Sequence, residues 1–566
     1  MGDKNHLLYV VTIHAILALL HFIVSDAVET LARAGGRQER WQLLRNNTGV
    51  VTMHMALTHE NTVIIFDQTE AGPSQYRLHQ RYNGRRCSTR SRADLKDGAC
   101  YAHSVEYYIH GNNLRPLRFV SDPWCSSGSF LSNGTLLQVG GHGRGSQRIR
   151  YFRPCRDHLC NCSNRRGHCR VIDGMLRIYY CLNMIELLLL VEGMLIVTNL
   201  YLNYIPRTDL LIFLFCMTLM TRMVAETTST LSFIFLLMVT SSSSPTVTPS
   251  FFNYQRNRVV KTFPRIPGGG FRNYPSSGSL VILPLDHQDR FQKVEVMVCG
   301  GATSGAYEAA ARGRFLPALS SCGRMVITGN NHIWKMENMP RPRTMHDMLI
   351  LPTGHILIIN GARRGCAGWQ NAATPLLRPY LYNPKKSRGQ RFTVLKATRI
   401  ARMYHSSALL LPDGRVLVAG GNPYNTYTFS NVAYPTELRL QAFVPDYMDR
   451  QFNDLRPGNV TVEYEGHSSG VAYGTAFTIH FWLGRRPSKD VEYSVYAPPF
   501  TTHSISMNQR LLKLRCRHTT RDGGGLMSAV LEAPSSPNVA PPGYYLLTVV
   551  NNGIPSLSQW VRFIPA

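Results

Sequence analysis

The stretch YHSSALLLPDGRVLVAGG, residues 404–421, is the clearest structural unit in this sequence. It contains an apolar segment, a Pro-Asp-Gly turn, a second apolar segment and a terminal Gly pair. Glycine tolerates the positive φ of a tight reversal, so the stretch predicts a β-hairpin. Two further stretches follow the same plan, MHDMLILPTGHILIING at 345–361 and SGSFLSNGTLLQVGG at 127–141. Weaker copies are MALTHENTVIIFD at 55–67 and GRMVITG at 323–329.

Repetition of this hairpin predicts a β-propeller of the kelch type, in which each blade is a small antiparallel sheet. The alternative is a single β-sandwich. The hairpins are spread over about 370 residues, however, and a sandwich domain is smaller than that. We therefore predict an all-β fold with a propeller over residues 28–445.

The composition changes from about Arg456 onward. The segments NVTVEYEGHSSGVAYGTAFTIHFWL at 459–483 and PPGYYLLTVVNNGIPSLSQWVRFIPA at 541–566 alternate apolar and polar residues as strands do. This pattern, in a region of the usual size, indicates an immunoglobulin-like β-sandwich. We assign it to residues 446–566.

The formal net charge of the 566-residue chain is +27, carried mostly by Arg. Such a charge favours a partner that is negatively charged, such as an acidic polysaccharide, a nucleic acid or a membrane face. The sequence has no basic stripe interleaved with aromatic residues, so we do not expect nucleic-acid binding. The acidic polysaccharide depends on the compartment, and in an extracellular setting it would belong to the cell wall.

The N-terminus indicates export. An apolar run from Leu7 to Val24 is followed by small and polar residues, which predicts a secretory signal peptide at 1–27, with a signal anchor as the alternative. Glycosylation sequons with Thr in the third position begin at Asn46, Asn133 and Asn459. We predict a secreted, extracellular or cell-wall protein.

Thirteen cysteines permit disulfides in such a compartment. Cys87 with Cys100, and Cys299 with Cys322, are plausible local pairs. The full connectivity stays open.

Several phrases carry a specific resemblance. They are SDPWCSSGSFLSNGTLLQVGG, FPRIPGGGFRNYPSSGS, GARRGCAGWQ, RMYHSSALLLPDGRVLVAGGNP and TTHSISMNQRLLKL. Together they resemble the plant glyoxal oxidase-like proteins, relatives of galactose oxidase, over most of Arg40 to Ala566. The resemblance implies a seven-bladed propeller followed by the immunoglobulin-like domain.

The resemblance also implies a copper radical oxidase. Such an enzyme oxidises a small aldehyde, such as glyoxal or methylglyoxal, to a carboxylic acid and reduces dioxygen to hydrogen peroxide. A monomer is expected. Two other functions stay open, an alcohol oxidase of the galactose type with the same copper site and a non-catalytic propeller that binds cell-wall polysaccharide.

The resemblance implies a single copper ion bound by two Tyr and two His, with one Tyr joined to a Cys through a thioether that holds a radical. Tyr404 and His405 match the axial Tyr and one ligand His, and His503 matches the other His. Cys125 matches the cross-linking Cys, so Cys125 and Tyr404 are the expected catalytic residues. Imidazole and phenolate donors suit copper, and an axial phenol can accept a proton from the substrate.

Each of these residues also has an ordinary interpretation when taken alone. Tyr404 and His405 could be a packed pair at a blade edge, and Cys125 could be a buried small residue or a disulfide partner. His503 could be an ordinary loop residue. Their joint placement within the family phrases favours the copper site.

The family's cross-linked Tyr lies in a phrase like RWYA, which is absent here. Its expected place holds VIDGMLRIYYCLNMIELLLLVEGMLIVTNLYLNYIP, residues 171–206. If Asp173 to Met175 are written GAT GGT ATG, a shifted reading gives TGG and TAT, which encode Trp and Tyr. The same shift recovers blade-like strands from residues 183–193 and 226–250. We predict that residues 161–252 are a frameshifted translation that corrupts two blades, and that the literal chain is inactive.

A real membrane-spanning or inserted segment is the alternative. A spanning helix needs about 20 apolar residues. The best candidate, Met184 to Leu202, contains Glu186 and Glu192, and a charge at membrane depth is costly. We therefore expect no genuine transmembrane helix.

Overall fold

The structure is a computed structural model, and it describes residues 39–78, 100–117, 119, 121–142, 145, 148–154, 172–175, 196–198, 233–239, 247–253, 258–464, 470–484 and 491–565. Nearly all regular structure in these ranges is β-strand. The helical elements described are one short α-helix, Ala306–Ala310, and the 3-10 turns Thr69–Ala71, His287–Asp289, Asp446–Met448 and Arg450–Leu455. The predicted all-β class is confirmed.

Six four-stranded units, which we number as sheets 1 to 6, follow one another along the described part of the chain. Sheet 1 contains His54–Leu57, Thr62–Phe66, Ser104–Tyr108 and Asn113–Leu117; sheet 2 contains Ser127–Phe130, Leu136–Val139, Arg148–Phe152 and Ile172–Met175; sheet 3 contains Ile196–Thr198, Phe233–Val239, Val247–Asn253 and Arg258–Thr262; sheet 4 contains Ser279–Ile282, Glu295–Cys299, Ser321–Val326 and Lys335–Asn338; sheet 5 contains Asp347–Ile350, Ile356–Ile359, Tyr380–Tyr382 and Phe392–Val394; sheet 6 contains Ser406–Leu410, Val416–Gly420, Leu440–Val444 and Arg40–Arg45. Two-stranded ribbons pair Arg77–Leu78 with Cys100–Tyr101 and Ala362–Gly365 with Ala372–Pro375. The seven blades implied by the resemblance stay a prediction.

The repeated hairpin has the same turn in each of its three clear copies. In the copy at 404–421, the Gly414 amide donates to the Leu411 carbonyl at 3.0 Å, and the Leu411 amide donates to the Arg415 carbonyl at 2.8 Å. Gly414 has φ of 89°, which a residue with a side chain rarely adopts. Equivalent pairs of hydrogen bonds close the turns at 131–135 and 351–355. The sequence repeat is therefore a structural repeat.

The inner strands of these sheets are fully buried. Ser406–Leu410 and Val416–Gly420 of sheet 6 have no exposed residue, and the same is true of Asp347–Ile350 and Ile356–Ile359 of sheet 5. Strands buried on both faces are apolar throughout. This explains why the sequence of each hairpin contains two continuous apolar runs.

Sheet 6 joins the two ends of the N-terminal region. Arg40–Arg45 pairs antiparallel with Leu440–Val444, so that Arg40 lies opposite Val444 and Leu43 opposite Gln441. The Trp41 indole N–H also donates to the Lys396 carbonyl at 2.9 Å. One sheet therefore contains both the first described strand and the last three strands before the C-terminal region.

The C-terminal region forms two further sheets around a shared core, as the predicted sandwich requires. One contains Gly458–Glu463, Ala476–Trp482, Leu526–Glu532 and Cys516–Gly523; the other contains Leu285–Asp286, Arg510–Leu514, Val491–Ala497, Gly543–Asn551, Gln559–Ile564 and Val471–Ala472, with Ile554–Pro555 at its side. Phe477 and Phe481 of the first sheet and Val495 and Leu547 of the second belong to one buried cluster.

A hairpin from the C-terminal region completes sheet 1. Phe500–Thr502 pairs antiparallel with His54–Leu57, and Ile505–Met507 follows as its outer strand. Phe500 is fully buried, and a Cβ atom on Gly128 of sheet 2 would lie 2.5 Å from its ring. The bare backbone of Gly128 is what lets Phe500 pack there.

Most of the predicted frameshifted segment, 161–252, lies outside the described residues. Within its described part, Ile196–Thr198 pairs parallel with Phe233–Val239, whereas the strand pairs within the other five sheets are antiparallel. The frameshift stays a prediction. No helix among the described residues has the length and apolar character needed to cross a bilayer. The apolar run at 7–24 falls outside the described ranges, and so does the run at 184–202 apart from Ile196–Thr198.

The predicted Cys299–Cys322 disulfide is present, joining two neighbouring strands of sheet 4. Cys87, of the other predicted pair, lies outside the described residues. Among the described cysteines, Cys366 and Cys516 are free thiols.

Candidate metal centre

Three of the four predicted site residues lie in loops that lead into the first strand of a sheet. Cys125 precedes Ser127–Phe130 of sheet 2, and Tyr404 and His405 directly precede Ser406–Leu410 of sheet 6. A loop in the same position before sheet 4 carries Tyr274. The site is thus built at one end of the sheets, by loops positioned on rigid strands.

The fourth residue, His503, comes from the C-terminal region. It lies in the turn between Phe500–Thr502 and Ile505–Met507, the hairpin that extends sheet 1. The register places Thr502 opposite His54, and the Thr501 hydroxyl donates to the Met55 carbonyl at 3.3 Å. Main-chain pairing with sheet 1 therefore carries the imidazole into the site.

The four predicted residues meet in the structure. The Tyr404 and His405 rings stack with their centroids 3.9 Å apart, and the His503 ring lies 5.5 Å from that of His405 and 6.0 Å from that of Tyr404. The Cys125 Sγ lies 3.6 Å from the His503 Nε2. Residues separated by up to 378 positions in the chain thus share one small region.

Left-handed backbone conformations orient these side chains. Cys125 has φ of 58°, His405 of 59° and His503 of 47°, and Ser504 follows with φ of 70°. Such values are uncommon for residues other than glycine and cost on the order of 1–3 kcal/mol each. Strained positions of this kind cluster at active sites and ligand-binding loops.

His405 is buried, and neither of its ring nitrogens has a hydrogen-bond partner among the described residues. A buried polar atom without a partner is costly, and such an atom calls for a specific explanation. Burial, helped by nearby His503 and His54, holds the pKa of His405 well below its usual value. The neutral ring therefore offers a lone pair, which is the form that binds a metal.

His503 is held in place by its neighbour Thr502. The Thr502 hydroxyl is hydrogen-bonded to the His503 Nδ1 at 2.6 Å, which leaves Nε2 facing Cys125. Partners of this kind on the far nitrogen orient metal-bound imidazoles. Burial lowers the pKa of His503 to about 4, so this ring is also neutral at neutral pH.

Tyr274 is a site residue that the sequence analysis did not identify. Its hydroxyl lies 3.1 Å from the Tyr404 hydroxyl, and its ring centroid lies 6.0 Å from that of His503. It belongs to the phrase FPRIPGGGFRNYPSSGS, which the resemblance already included. The available signal was its place in a loop that leads into a first strand, as the loop of Tyr404 does.

Buried arginines fix these loops by a repeated set of contacts. Arg402, two residues before Tyr404, donates from Nη1 to the Gly420 carbonyl at 2.7 Å. Arg272, two residues before Tyr274, donates to the Gly300 carbonyl in the corresponding place of sheet 4. Arg343 makes the equivalent bond to the Asn360 carbonyl of sheet 5 at 2.5 Å. Some of the arginines in the sequence are thus buried and serve to hold the loops in place.

An aromatic pair lies beside Cys125. The Trp124 and Trp369 rings are stacked with centroids 5.6 Å apart, and the His142 ring lies 4.5 Å from Trp124. Trp369, from the phrase GARRGCAGWQ, is 42% exposed. The pair forms a partly exposed apolar wall next to the site.

Comparison with known proteins places this chain in a family. Residues 53–447 match the family described as Glyoxal oxidase N-terminus, and residues 456–563 match the one described as Galactose oxidase-like, Early set domain. The chain belongs to the glyoxal oxidase family.

Two similar relatives cover nearly all of this glyoxal oxidase family member. Aldehyde oxidase GLOX of Vitis pseudoreticulata is 35% identical over 554 residues, which is 96% of this chain and 100% of the relative. Aldehyde oxidase GLOX1 of Arabidopsis thaliana is 36% identical over 564 residues, which is 93% of this chain and 84% of the relative. The recognised resemblance is confirmed, and the chain is a member of a family of oxidases.

A solved structure has the same fold. It is described as a novel fungal alcohol oxidase in complex with copper, with a TM-score of 0.55 and 14% sequence identity, and the match covers 94% of this chain and 100% of that one. At this identity the likeness concerns the fold alone. The match to the Early set family confirms the immunoglobulin-like C-terminal domain.

The residues of this family member fit a copper ion in part. Two neutral imidazoles and the Tyr404 phenol are brought together, and the unpaired nitrogens of His405 point to a missing ligand. No three His, Cys, Asp or Glu side chains are grouped for a metal in the described ranges, so phenols would have to complete the set. The tyrosine expected in the shifted frame would fall within Ile172–Met175, which here reads IDGM.

Proposed function

We propose that this glyoxal oxidase family member is a secreted copper radical oxidase that acts on small aldehydes such as glyoxal or methylglyoxal. The carboxylic acid and hydrogen peroxide would be its products. The observation that supports this most directly is the pair of neutral imidazoles, buried His405 and half-buried His503, beside the Tyr404 phenol. Imidazole and phenolate are donors that suit copper.

His405, His503 and Tyr404 would hold the copper ion. Bound there, copper and a tyrosyl radical would each take one electron, which is the chemistry needed for a two-electron oxidation. Thr502 keeps His503 oriented, and the buried arginines keep the loops in place, so little reorganisation is needed when the metal binds.

The site residues would also accept a proton, exclude water and supply the thiol of the cross-link. The Tyr404 hydroxyl is placed to accept a proton from it. Trp124 and Trp369 offer an apolar wall that excludes water on the side of Cys125. Cys125 is the thiol that would be joined to the missing tyrosine.

Two other functions have support. An alcohol oxidase would use the same donors, and relatives named galactose oxidase match part of the chain at 29% identity. A non-catalytic protein that binds acidic polysaccharide is favoured by the net charge of +27.

Extracellular location is supported by two structural observations. Asn46, Asn133 and Asn459, which begin the sequons with Thr in the third position, are all exposed, as glycan attachment requires. The Cys299–Cys322 disulfide is typical of proteins that mature in oxidising compartments.

The decisive experiment compares the chain as written with a frame-corrected version. We expect the literal protein to release no peroxide from glyoxal, methylglyoxal or galactose, because Cys125 has no tyrosine to join and the radical has no stabilised site. The corrected protein should release peroxide from an aldehyde. Copper content and peroxide are measured on both proteins.

The matched control is the corrected protein with its restored tyrosine replaced by Phe, which should be inactive again. Equal peroxide release by the literal and corrected chains would refute the assignment of the lost tyrosine. Activity on galactose alone would favour the alcohol oxidase. A copper-free, inactive corrected protein that binds pectin would favour the polysaccharide-binding function.

A further inference from the structure

Three exposed arginines lie together near the candidate metal centre. Arg312 and Arg314 follow the helix Ala306–Ala310 in the loop between the second and third strands of sheet 4, and Arg364 belongs to the ribbon strand Ala362–Gly365, which follows the second strand of sheet 5. We propose that these three side chains, which we call the arginine patch, bind the carboxylates of an acidic polysaccharide of the polygalacturonate type. The inference does not depend on the proposed copper site.

Main-chain contacts bring the two segments of the arginine patch side by side. Arg364 lies opposite Pro317 in an antiparallel bridge, and paired backbones of this kind are about 5 Å apart. The Arg364 Nε also donates to the Phe315 carbonyl at 3.0 Å. The Arg364 guanidinium therefore lies over the loop at the residue that follows Arg314.

The arginine patch carries unbalanced positive charge. Within the ranges that the structure describes, none of its three arginines forms an ion pair. The exposed Glu308 of the adjacent helix forms no ion pair there either, so the patch keeps a net positive charge even beside this carboxylate. Like charges held close together repel each other, and a bound anion relieves that repulsion.

The exposure of the arginine patch favours a polymer over a small anion. A guanidinium offers donors in a planar fork that matches a carboxylate, but a single exposed pair of this kind contributes little to affinity. A polymer that repeats its carboxylates can engage all three arginines at once, so the small contributions combine.

A polyuronate fits the rest of the chain better than a nucleic acid does. The sequence predicts an extracellular protein, and it lacks the basic stripe interleaved with aromatic residues that is typical of nucleic-acid binding. An acidic polysaccharide is the polyanion that such a compartment would present to the arginine patch.

The arginine patch borders the candidate metal centre. The strand that carries Arg364 leads into a turn with Trp369, whose ring stacks on that of Trp124 next to Cys125. The Ala367 amide of this turn donates at 2.6 Å to a carbonyl of the loop before sheet 4. A polysaccharide held on the patch would therefore lie beside the site, where the proposed oxidase would release its peroxide.

The test measures the affinity of the full chain as written for polygalacturonate at low ionic strength, by co-sedimentation over a range of polymer concentrations. The variant carries Arg312→Gln, Arg314→Gln and Arg364→Gln together. We expect its affinity to fall about tenfold, because each exposed pair contributes a factor of about two to five.

The matched control removes the same charge from other exposed positions. It carries Arg388→Gln, Arg450→Gln and Arg521→Gln, which lie in the last turn of sheet 5, in the 3-10 turn Arg450–Leu455 and in the edge strand Cys516–Gly523. The control should keep the wild-type affinity within about twofold. Equal losses in the two triple variants would show that net charge binds the polymer and that the patch is not a site. Thermal unfolding of both variants shows whether the fold is retained.

The choice of polymers tests the chemistry of the ligand. Methyl-esterified polygalacturonate has the same sugar backbone without the charge and should bind at least about tenfold more weakly than the free acid. Equal binding of the esterified polymer, or equal binding of single-stranded DNA with the same loss in the patch variant, would overturn the assignment to a polyuronate. If wild type binds no polygalacturonate, the inference is wrong, whereas the assay of peroxide release decides the oxidase separately.

Discussion

Asp347 is a buried carboxyl whose ionisation the fold opposes. It begins the first strand of sheet 5 and is about 1% exposed, and its Oδ2 accepts from the Asn360 Nδ2 at 2.8 Å. Its Oδ1 has no partner among the described residues. Burial raises the pKa of Asp347 from 3.8 to about 7. The unfolded chain therefore releases this proton at lower pH than the folded protein does.

Replacement by Asn should change how stability depends on pH. Between pH 4 and 7 the wild-type carboxyl is protonated in the folded state and ionised in the unfolded state, so stability falls as pH rises. Asp347→Asn should flatten this slope by at most about 1.4 kcal/mol per pH unit and raise the stability at pH 7. Urea unfolding at several pH values measures the free energy of unfolding and its slope against pH. The exposed Asp454→Asn is the control, and an unchanged slope in Asp347→Asn would contradict the argument.

At the scale of elements, the hairpin of Phe500–Thr502 and Ile505–Met507 has two functions. It completes sheet 1 through main-chain pairing with His54–Leu57, and its turn carries His503. Phe500 anchors it, because the ring is fully buried among residues of sheets 1 and 2.

Truncation of this anchor should disturb the site as well as the fold. Phe500→Ala should cost about 3–5 kcal/mol through the cavity it leaves, and it should also weaken copper binding because His503 is three residues away. Phe481→Ala is the matched control, since Phe481 is equally buried but lies in the sandwich core. It should cost a similar free energy and leave copper affinity unchanged. Denaturant unfolding and copper titration distinguish the two, and equal copper affinity in both variants would argue against the hairpin's role.

The sequence predicted the strands and turns better than the tertiary contacts between them. Alternating apolar runs and Gly turns determine the hairpins locally, so residues 404–421 could be assigned without tertiary information. Tyr274 could not, because nothing in its own loop shows that sheets 4 and 6 bring their phenols within 3.1 Å. Arg40–Arg45 was also missed as a strand, since its partner lies some 400 residues away and its own pattern is exposed and charged.

For the whole molecule, the net charge of +27 combines two populations of arginine. Arg150, Arg272, Arg343 and Arg402 are buried and hydrogen-bonded to backbone carbonyls, so they cannot meet a partner. The exposed cations remain available to an acidic polymer.

We expect the protein to bind polygalacturonate at low ionic strength and to release it as salt rises toward 1 M, where charges are screened beyond about 3 Å. Binding should not depend on copper, because the proposed ligands are buried or partly buried. Neutral dextran is the control polymer, and co-sedimentation at several salt concentrations gives the measurement. Salt-independent binding, or equal binding to dextran, would show that charge is not the cause.

The pairing of Arg40–Arg45 with Leu440–Val444 also means that sheet 6 cannot be completed until late in the synthesis of the chain. Chains are made at about 5–20 residues per second, so the first strand waits roughly 20–80 seconds before its partner is synthesised. For most of that interval sheet 6 consists of its edge strand Arg40–Arg45 alone, and His503 has not yet been added. If the proposed copper site is correct, a nascent chain lacks one of its imidazole ligands until synthesis has passed His503.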